Sequence, residues 1–402
     1  MDDAIVVPAS QPQAAATGPA SQRIYVVAGM HRAGTSVMAR ALQALGIDLG
    51  ERLMSADVRM NARGFFEDLD MVALDDALLA LHGADWKSSA LLAEVNFGDD
   101  AHAELRERAH ALLQSRLART REFAFKDPRV PRVLPFWQAV FRRLGASDAY
   151  VIAVRHPLSV IESLTARDQL DARRSGWLWL THLACALHYT HDRPRVVVDY
   201  DRLLGDPRHE LARIASAFER PMPTEGVLSS FVDDFLSAEL RHARHDPGQL
   251  DPSTVPPLAD DFHRLTQRLA HDDMDVDSTQ TQVDIDDLFD QLCRFGPLLD
   301  YAAAVERVAD DVPRLSGELR WARASLEESG AYAGSLQDAL KSAQQLIAGK
   351  DAAIATATAY SDDLAGALKR KEAELVAAHA TLARVAATVL GRMVLREVER
   401  KR

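Results

Sequence analysis

The chain has 402 residues, of which 47% are apolar and 26% charged, and this composition can build a packed core, which excludes a wholly disordered protein. No apolar run reaches the roughly 18 residues that a transmembrane helix needs, and the net charge of −12 disfavours nucleic acid as a partner. An acidic start unlike a secretory signal and only two cysteines, Cys185 and Cys293, favour a cytoplasmic protein without a zinc site or disulfide framework.

The first elements in chain order are a tail, a strand, a glycine turn and a helix. Residues 1–22 are mostly small or polar and predict a disordered tail. The β-branched and aromatic run 23–28 then predicts a buried strand that ends at Gly29, and residues 35–45 predict a helix up to Gly46.

Alternating strands and helices follow over the rest of a predicted domain, residues 23–245. Near-continuous apolar strands separated by helices indicate a parallel sheet that is covered on both faces. We therefore predict an α/β fold similar to the P-loop nucleotide-binding folds. The predicted strands are 122–126, 149–154 and 195–199, and the predicted helices are about 101–120, 131–144, 158–168, 176–191 and 207–218.

The composition changes between residues 246 and 300, where 13 acidic residues stand against 3 basic ones. Turn residues are frequent there too, so we predict an acidic linker with short helices. The acidic run 272–277 lacks the central glycine and closing glutamate of a calcium-binding EF-hand loop, which favours a solvated linker over a metal site.

The last segment, residues 301–402, carries a heptad pattern and predicts a helical coiled-coil region. Apolar residues alternate at spacings of four and three over residues 315–389, and only four of the 22 positions in this series are polar. We expect one or two long helices with a break near Gly349. The pattern fits either a homo-oligomer through residues 315–389 or a helical hairpin within one chain.

A candidate phosphate site lies at the first strand-to-helix turn, where residues 29–36 read G-x-x-x-x-G-T-S. Backbone N–H groups of such a loop and the helix N-terminus can bind a phosphate, and Thr35 and Ser36 add hydroxyl donors. A nucleoside triphosphatase would have lysine after the second glycine, where this chain has Thr35. The basic residue is instead Arg32, two positions before Gly34.

The segment Arg32-Ala33-Gly34-Thr35-Ser36 resembles the 5′-phosphosulfate loop of sulfotransferases that use 3′-phosphoadenosine 5′-phosphosulfate (PAPS). That family has a second signature, a strand that ends in Arg with Ser eight residues later, and this chain has Arg155 and Ser163 at that spacing. The resemblance implies that Arg155 and Ser163 bind the 3′-phosphate of the donor. An Arg and a Ser so placed can converge on one phosphate, by charge and by a hydroxyl donor.

Two further segments resemble the acceptor side of bacterial sulfotransferases, Asn61-x-x-Gly64-Phe65-Phe66-Glu67-Asp68 and Phe125-Lys126-Asp127-Pro128-Arg129. The resemblance extends over about residues 23–245 and does not include the heptads.

Within these segments Glu67 is the candidate base, because a carboxylate beside an acceptor hydroxyl can take its proton. Lys126 is the candidate that stabilises the leaving phosphate, with an ion pair to Asp127 as the structural alternative. The alternatives to Glu67 as base are Asp68 or a histidine, and His31 and His156 flank the two phosphate segments.

The sequence thus predicts a sulfotransferase that moves the sulfonate of PAPS to a hydroxyl of a glycan, lipid or small metabolite without a metal. A magnesium-dependent P-loop kinase is the second hypothesis, because Asp199 ends a hydrophobic strand and could hold magnesium. The third is a coiled-coil assembly protein with a degenerate nucleotide fold.

Overall fold

A computed structural model describes residues 22–55, 64–236, 250, 255–387 and 389–401. The predicted tail, apart from its last residue, and Asn61 lie outside these residues. The chain divides into two compact units, Met1–Asp310 and Asp311–Arg402.

The first unit contains a four-stranded parallel sheet in the order β2-β1-β3-β4, which confirms the predicted α/β class. Each strand is a short apolar, largely β-branched or aromatic run, the sequence type that fits a sheet buried on both faces. All four carboxyl ends point to one edge, where α/β folds place their ligands. The strands are β1 Arg23–Ala28, β2 Glu122–Lys126, β3 Ser147–Val154 and β4 Arg195–Asp199.

Thirteen α-helices surround or follow the sheet in the described part of the chain. They are α1 Thr35–Ala44, α2 Leu69–Leu81, α3 Ala103–Leu117, α4 Val130–Leu144, α5 Pro157–Asp168, α6 Ala172–His188, α7 Tyr200–Gly205, α8 Pro207–Ala217, α9 Glu225–Ser229, α10 Ala259–Ala270, α11 Thr279–Cys293, α12 Gly296–Ala387 and α13 Val389–Glu399. A 3-10 turn at Asp100–His102 and a π-helical turn at Ser230–Phe235 complete the elements.

Alternate residues of the strands enter cores on opposite faces of the sheet. Tyr25 and Val27 of β1 pack with α1 and α8 on one face. Ile24 and Val26 pack with α2, α3 and α4 on the other, where Ala28 reaches a third cluster with α5 and α6. Helices therefore cover both faces, as the two-residue period of a strand requires.

The described part of the predicted acidic linker, residues 250 and 255–300, contains the short helices α10 and α11. Phe262 of α10 and Phe289 of α11 are buried in the same core as α6, and the Phe289 ring stacks on His188 at 3.9 Å between centroids. The acidic Asp260 and Asp261 stand on the exposed side of α10. The acidic residues of these amphipathic helices therefore face water while their apolar residues pack into the core.

The predicted break near Gly349 is wrong, because α12 continues from Gly296 to Ala387. Its residues up to Asp310 belong to the first unit and the remainder to the second. In the second unit the heptad leucines and isoleucines are exposed, so the described residues do not form the predicted hairpin.

Within the described residues no single helix is long and apolar enough to cross a membrane. One bent pair, Gly296–Ala387 with Arg392–Glu399, reaches that length and composition when the two helices are taken together.

Candidate functional site

The predicted phosphate loop connects β1 to α1 at the carboxyl edge of the sheet. Gly34 caps α1 with a left-handed backbone, φ 90°, and a Cβ there would collide with the Tyr200 ring. Both observations require glycine at this position. Ala33 and Thr35 are buried within the loop. The N-terminus of α1 therefore lies next to a tightly packed turn. The first backbone N–H groups of a helix have no carbonyl partner in the preceding turn of that helix, so they can bind an anion.

Arg32 joins this loop to the segment that follows β3. Its Nε donates to Ser163 Oγ at 2.7 Å, and its carbonyl oxygen accepts from Arg155 Nη1 at 3.0 Å. Arg32 also has a left-handed backbone, φ 70°, which is uncommon for a residue with a side chain. The sequence assigned Arg32 and Ser163 to different phosphates, whereas the structure places these two side chains in direct contact.

Arg155 is a buried guanidinium with unused donors. It is 5% exposed, its carbonyl accepts from Trp179 Nε1 at 3.1 Å, and the guanidinium lies 4.7 Å from the centre of the Tyr200 ring. Among the described residues its Nε and Nη2 have no hydrogen-bond partner. Since buried N–H groups of a charged side chain are costly to leave unpaired, these two donors fit an anion.

Positive charge is concentrated around the loop. The pKa of Arg32 is lowered, first by burial and then by the charges of Arg167 and Arg155. Burial also holds the pKa of His31 well below its usual value, and the nearby charges of Arg129 and Lys126 add to this effect. His31 is therefore neutral near pH 7, and a bound anion would relieve the repulsion between these cations.

A second cluster joins the loop to the predicted acceptor segment. Phe65 O accepts from Ser36 Oγ at 3.2 Å and from Lys126 Nζ at 3.0 Å. Lys126 Nζ also donates to Glu67 Oε1 at 2.5 Å, and the two residues are 2% and 3% exposed. Phe66, which lies between Phe65 and Glu67 in the sequence, has φ 56°. Lys126 thus pairs with Glu67, not with Asp127 as the structural alternative predicted.

Asp68, an alternative to Glu67 as base, has a structural role. Its side chain caps α2 by accepting from the backbone N–H of Asp70 at 2.9 Å. It also forms an ion pair with Arg116 at 2.9 Å, and Arg116 reaches Asp70 at 2.8 Å. Both carboxylate oxygens of Asp68 thus accept hydrogen bonds, so neither is left to take a proton from an acceptor.

A network of charged side chains surrounds Arg129, a residue to which the sequence assigned no role. Arg129 Nη1 contacts Asp127 Oδ1 at 2.9 Å and lies 3.8 Å from Glu67 Oε2. Trp137 Nε1 donates to the buried Asp75 at 2.7 Å. Burial, with the charge of Asp127 next, raises the pKa of Asp75 well above its usual value. Only tertiary contacts, between residues distant in sequence, bring this network close to Glu67 and Lys126.

Asp199, which the kinase hypothesis needs for magnesium, has both carboxylate oxygens in use. Oδ1 accepts from the backbone N–H groups of Asp201 and Arg202 at 2.8 and 3.0 Å, and Oδ2 accepts from Gln267 at 3.0 Å. In the part of the chain that the structure describes, no group of three or more His, Cys, Asp or Glu side chains could hold a metal.

Two cavities lie apart from these residues. One of about 770 Å³ is bounded by the start of β4 and residues 269–277, and one of about 390 Å³ by residues 82–95 and the start of α12. None of the predicted site residues lines either cavity.

Comparisons with known proteins give a structural similarity but no family. No family model matches the chain, and no curated protein matches it. The sulfotransferase domain from the Synechococcus PCC 7002 olefin synthase is similar in structure, with 18% sequence identity over 68% of this chain and 95% of that one and a TM-score of 0.32. A similarity at this TM-score carries no argument, so the functional case depends on the residues described above.

Proposed function

We propose that this protein is a sulfotransferase that transfers the sulfonate group of PAPS to an acceptor hydroxyl. The observation that carries the proposal is Arg155, a buried guanidinium with two N–H groups unpaired among the described residues, in contact with Arg32. Together with Ser163 and the N-terminus of α1, these residues form a compact set of anion donors.

The residues favour a donor with separate 5′ and 3′ phosphates over a nucleoside triphosphate with magnesium. A triphosphate needs a lysine that reaches its outer phosphates, and this loop has Thr35 in that position. It also needs an acidic ligand for magnesium, and both Asp199 oxygens already accept hydrogen bonds. Arg155, at the end of β3, supplies a second positive group that a 3′-phosphate would use.

In the proposed reaction the acceptor oxygen attacks the sulfur, and the bond from sulfur to the 5′-phosphate oxygen breaks with its electron pair left on that oxygen. Lys126 would stabilise this growing charge. An ammonium has three N–H donors, and Lys126 directs two of them to Glu67 and Phe65. The third can reach the leaving oxygen while the ion pair stays intact.

Glu67 would accept the proton that the acceptor hydroxyl loses. Its Oε1 is occupied by Lys126, and its Oε2 lies 3.8 Å from Arg129, which leaves Oε2 for the acceptor. His31 is the second candidate, because its imidazole is neutral near pH 7 and its buried Nε2 has no hydrogen-bond partner among the described residues.

A transfer assay with PAPS labelled on the sulfonate tests the proposal against a panel of glycans, lipid extracts and small metabolites. Label should appear on at least one hydroxyl acceptor. Lys126→Met should lower the rate by about 10²–10³-fold, the typical loss for one electrostatic group. Lys341→Met, an exposed lysine on α12, serves as the matched control and should leave the rate unchanged. Phosphate transfer from ATP with no sulfonate transfer would contradict the proposal.

A further inference from the structure

An apolar stripe runs along α12 in the second unit, and we call it the seam. Its residues are strongly exposed, with Leu326 at 74%, Ile354 at 63% and Leu368 at 61%. A continuous exposed apolar surface of this kind marks an interaction site. The seam comprises Leu319, Leu326, Ala333, Leu340, Ile347, Ile354, Ser361, Leu368, Leu375 and Leu382 at heptad position a, and Leu315, Ala322, Ser329, Leu336, Ala343, Lys350, Ala357, Leu364, Lys371, Ala378 and Val385 at position d.

We propose that the seam binds the same seam of a second copy of this chain, in register, as a parallel two-stranded coiled coil. The inference does not depend on the proposed function, because it uses only residues of the second unit. The helix from residue 315 to 387 has a length of about 110 Å at 1.5 Å per residue. Two such seams could associate over ten heptads without any contribution from the first unit.

The positions of the glycines support close pairing along the seam. Gly317, Gly330, Gly334, Gly349 and Gly366 fall at heptad positions f, e, b, c and f, and none occupies position a or d. A Cβ at the first four would meet nothing within 4 Å. The seam is therefore an uninterrupted series of side chains, although glycine is a poor helix former.

Charge at the flanking positions favours the parallel orientation. In a parallel pair, position g of one helix faces position e of the next heptad on the other. Glu318 then faces Arg323 of the second copy, and this opposite-charge pair forms twice in a symmetric dimer. The pair therefore favours the parallel, in-register arrangement.

Residues within the seam favour two strands over three or four. Ile347 and Ile354 are β-branched and occupy position a, where two-stranded coils prefer such residues. Lys350 and Lys371 occupy position d. In a two-stranded coil their long stems can run over the apolar surface while the ammonium groups reach water, whereas larger bundles would bury them.

The mass of the full-length protein in solution tests association. Sedimentation should give twice the chain mass of 44.2 kDa. Leu340→Asp with Leu368→Asp, both at position a, should return the mass to one chain. Ala352→Asp with Ala373→Asp adds the same charges at position f and should leave the dimer intact. A wild-type monomer at micromolar concentration overturns the proposal, and a trimer or tetramer overturns the two-stranded arrangement.

Disulfide trapping tests the orientation with one small substitution in the seam. Ala322→Cys places a thiol at position d near one end, so only a parallel, in-register pair brings two copies of it together. Under mild oxidation this variant should run as a covalent dimer on a non-reducing gel. Ala324→Cys, at the outward position f, and the wild-type chain should remain single. A dimer by mass in which Ala322→Cys fails to cross-link would exclude the parallel arrangement.

Discussion

Replacing Arg155 with methionine separates the proposed binding role of this residue from a structural one. Methionine preserves most of the apolar stem but removes the guanidinium, including the Nε and Nη2 groups that are unpaired among the described residues. It also removes the hydrogen bond of 3.0 Å to Arg32 O. The variant therefore tests whether Arg155 is present for an anion or for the fold.

The expected loss of affinity follows from the hydrogen bonds that a phosphate would receive. A hydrogen bond to a charged group contributes about 1.5–3 kcal/mol. Losing one should therefore raise the dissociation constant for adenosine 3′,5′-bisphosphate roughly 10- to 150-fold. Calorimetry on the purified full-length protein measures this constant directly. An unchanged constant would remove Arg155 from the donor site.

The free energy of unfolding should respond differently. The lost bond to Arg32 has a charged donor and contributes about 1.5–3 kcal/mol, and removing two buried unpaired donors offsets it by about 1–3 kcal/mol each. Arg155→Met should thus be at least as stable as wild type in the absence of ligand. A loss of more than about 2 kcal/mol would refute this reasoning and assign Arg155 to the fold.

Arg195→Met is the matched control. Arg195 is equally buried, but it donates to Leu187 O at 2.7 Å and to Val276 O at 2.8 Å, at the opposite edge of the sheet. Its two charged hydrogen bonds contribute about 3–6 kcal/mol, and removing its Nε, which is unpaired among the described residues, offsets about 1–3 kcal/mol of this. Arg195→Met should therefore lower the free energy of unfolding by about 2–4 kcal/mol and leave bisphosphate affinity unchanged.

Three further predictions use single substitutions. Glu67→Gln should lower the rate of sulfonate transfer by about 10²–10⁴-fold, the range for loss of a general base, while bisphosphate affinity changes little; an unchanged rate would transfer that role to His31. The pKa of His31 is lowered by burial, so the unfolded chain binds a proton below about pH 6.5 that the folded chain does not. The free energy of unfolding should therefore decrease as the pH falls below that value, and this decrease should be smaller in His31→Gln. Denaturation of both proteins over a series of pH values measures the difference. Parallel pH profiles for the variant and the wild type would contradict the prediction. Gly34→Ala should lower the free energy of unfolding by at least about 1–3 kcal/mol, because alanine is strained in a left-handed backbone and its Cβ would collide with Tyr200. Gly317→Ala, on an exposed part of α12, should raise it slightly. Equal effects of the two substitutions in urea titrations would contradict the structural role of Gly34.

The strands could be predicted closely from the sequence. The apolar runs 23–28, 122–126 and 195–199 have the bounds of β1, β2 and β4, and β3 begins two residues before the predicted 149. Each run stands between turn residues or charges, so the local signal and the buried environment agree. The glycine turn between β1 and α1 could be predicted for the same reason, because Gly34 is required by the local backbone.

The packing of the acidic segment could not be predicted, because composition does not show which face of a helix is apolar. Phe262 and Phe289 lie among acidic residues in the sequence, and their burial depends on contacts with the core that contains α6. Similarly, the contact between Arg32 and Ser163 joins residues 131 positions apart. The pairing of Lys126 with Glu67 in preference to its neighbour Asp127 likewise depends on where α2 begins, which no local pattern states.

Calorimetry with two ligands tests the proposed function most directly. The full-length protein is titrated with adenosine 3′,5′-bisphosphate in the presence of EDTA and, separately, with ATP and magnesium. The proposed site predicts tight binding of the bisphosphate without metal and at least tenfold weaker binding of ATP. Tight binding of ATP with magnesium, together with no heat from the bisphosphate, would contradict the sulfotransferase and favour the kinase.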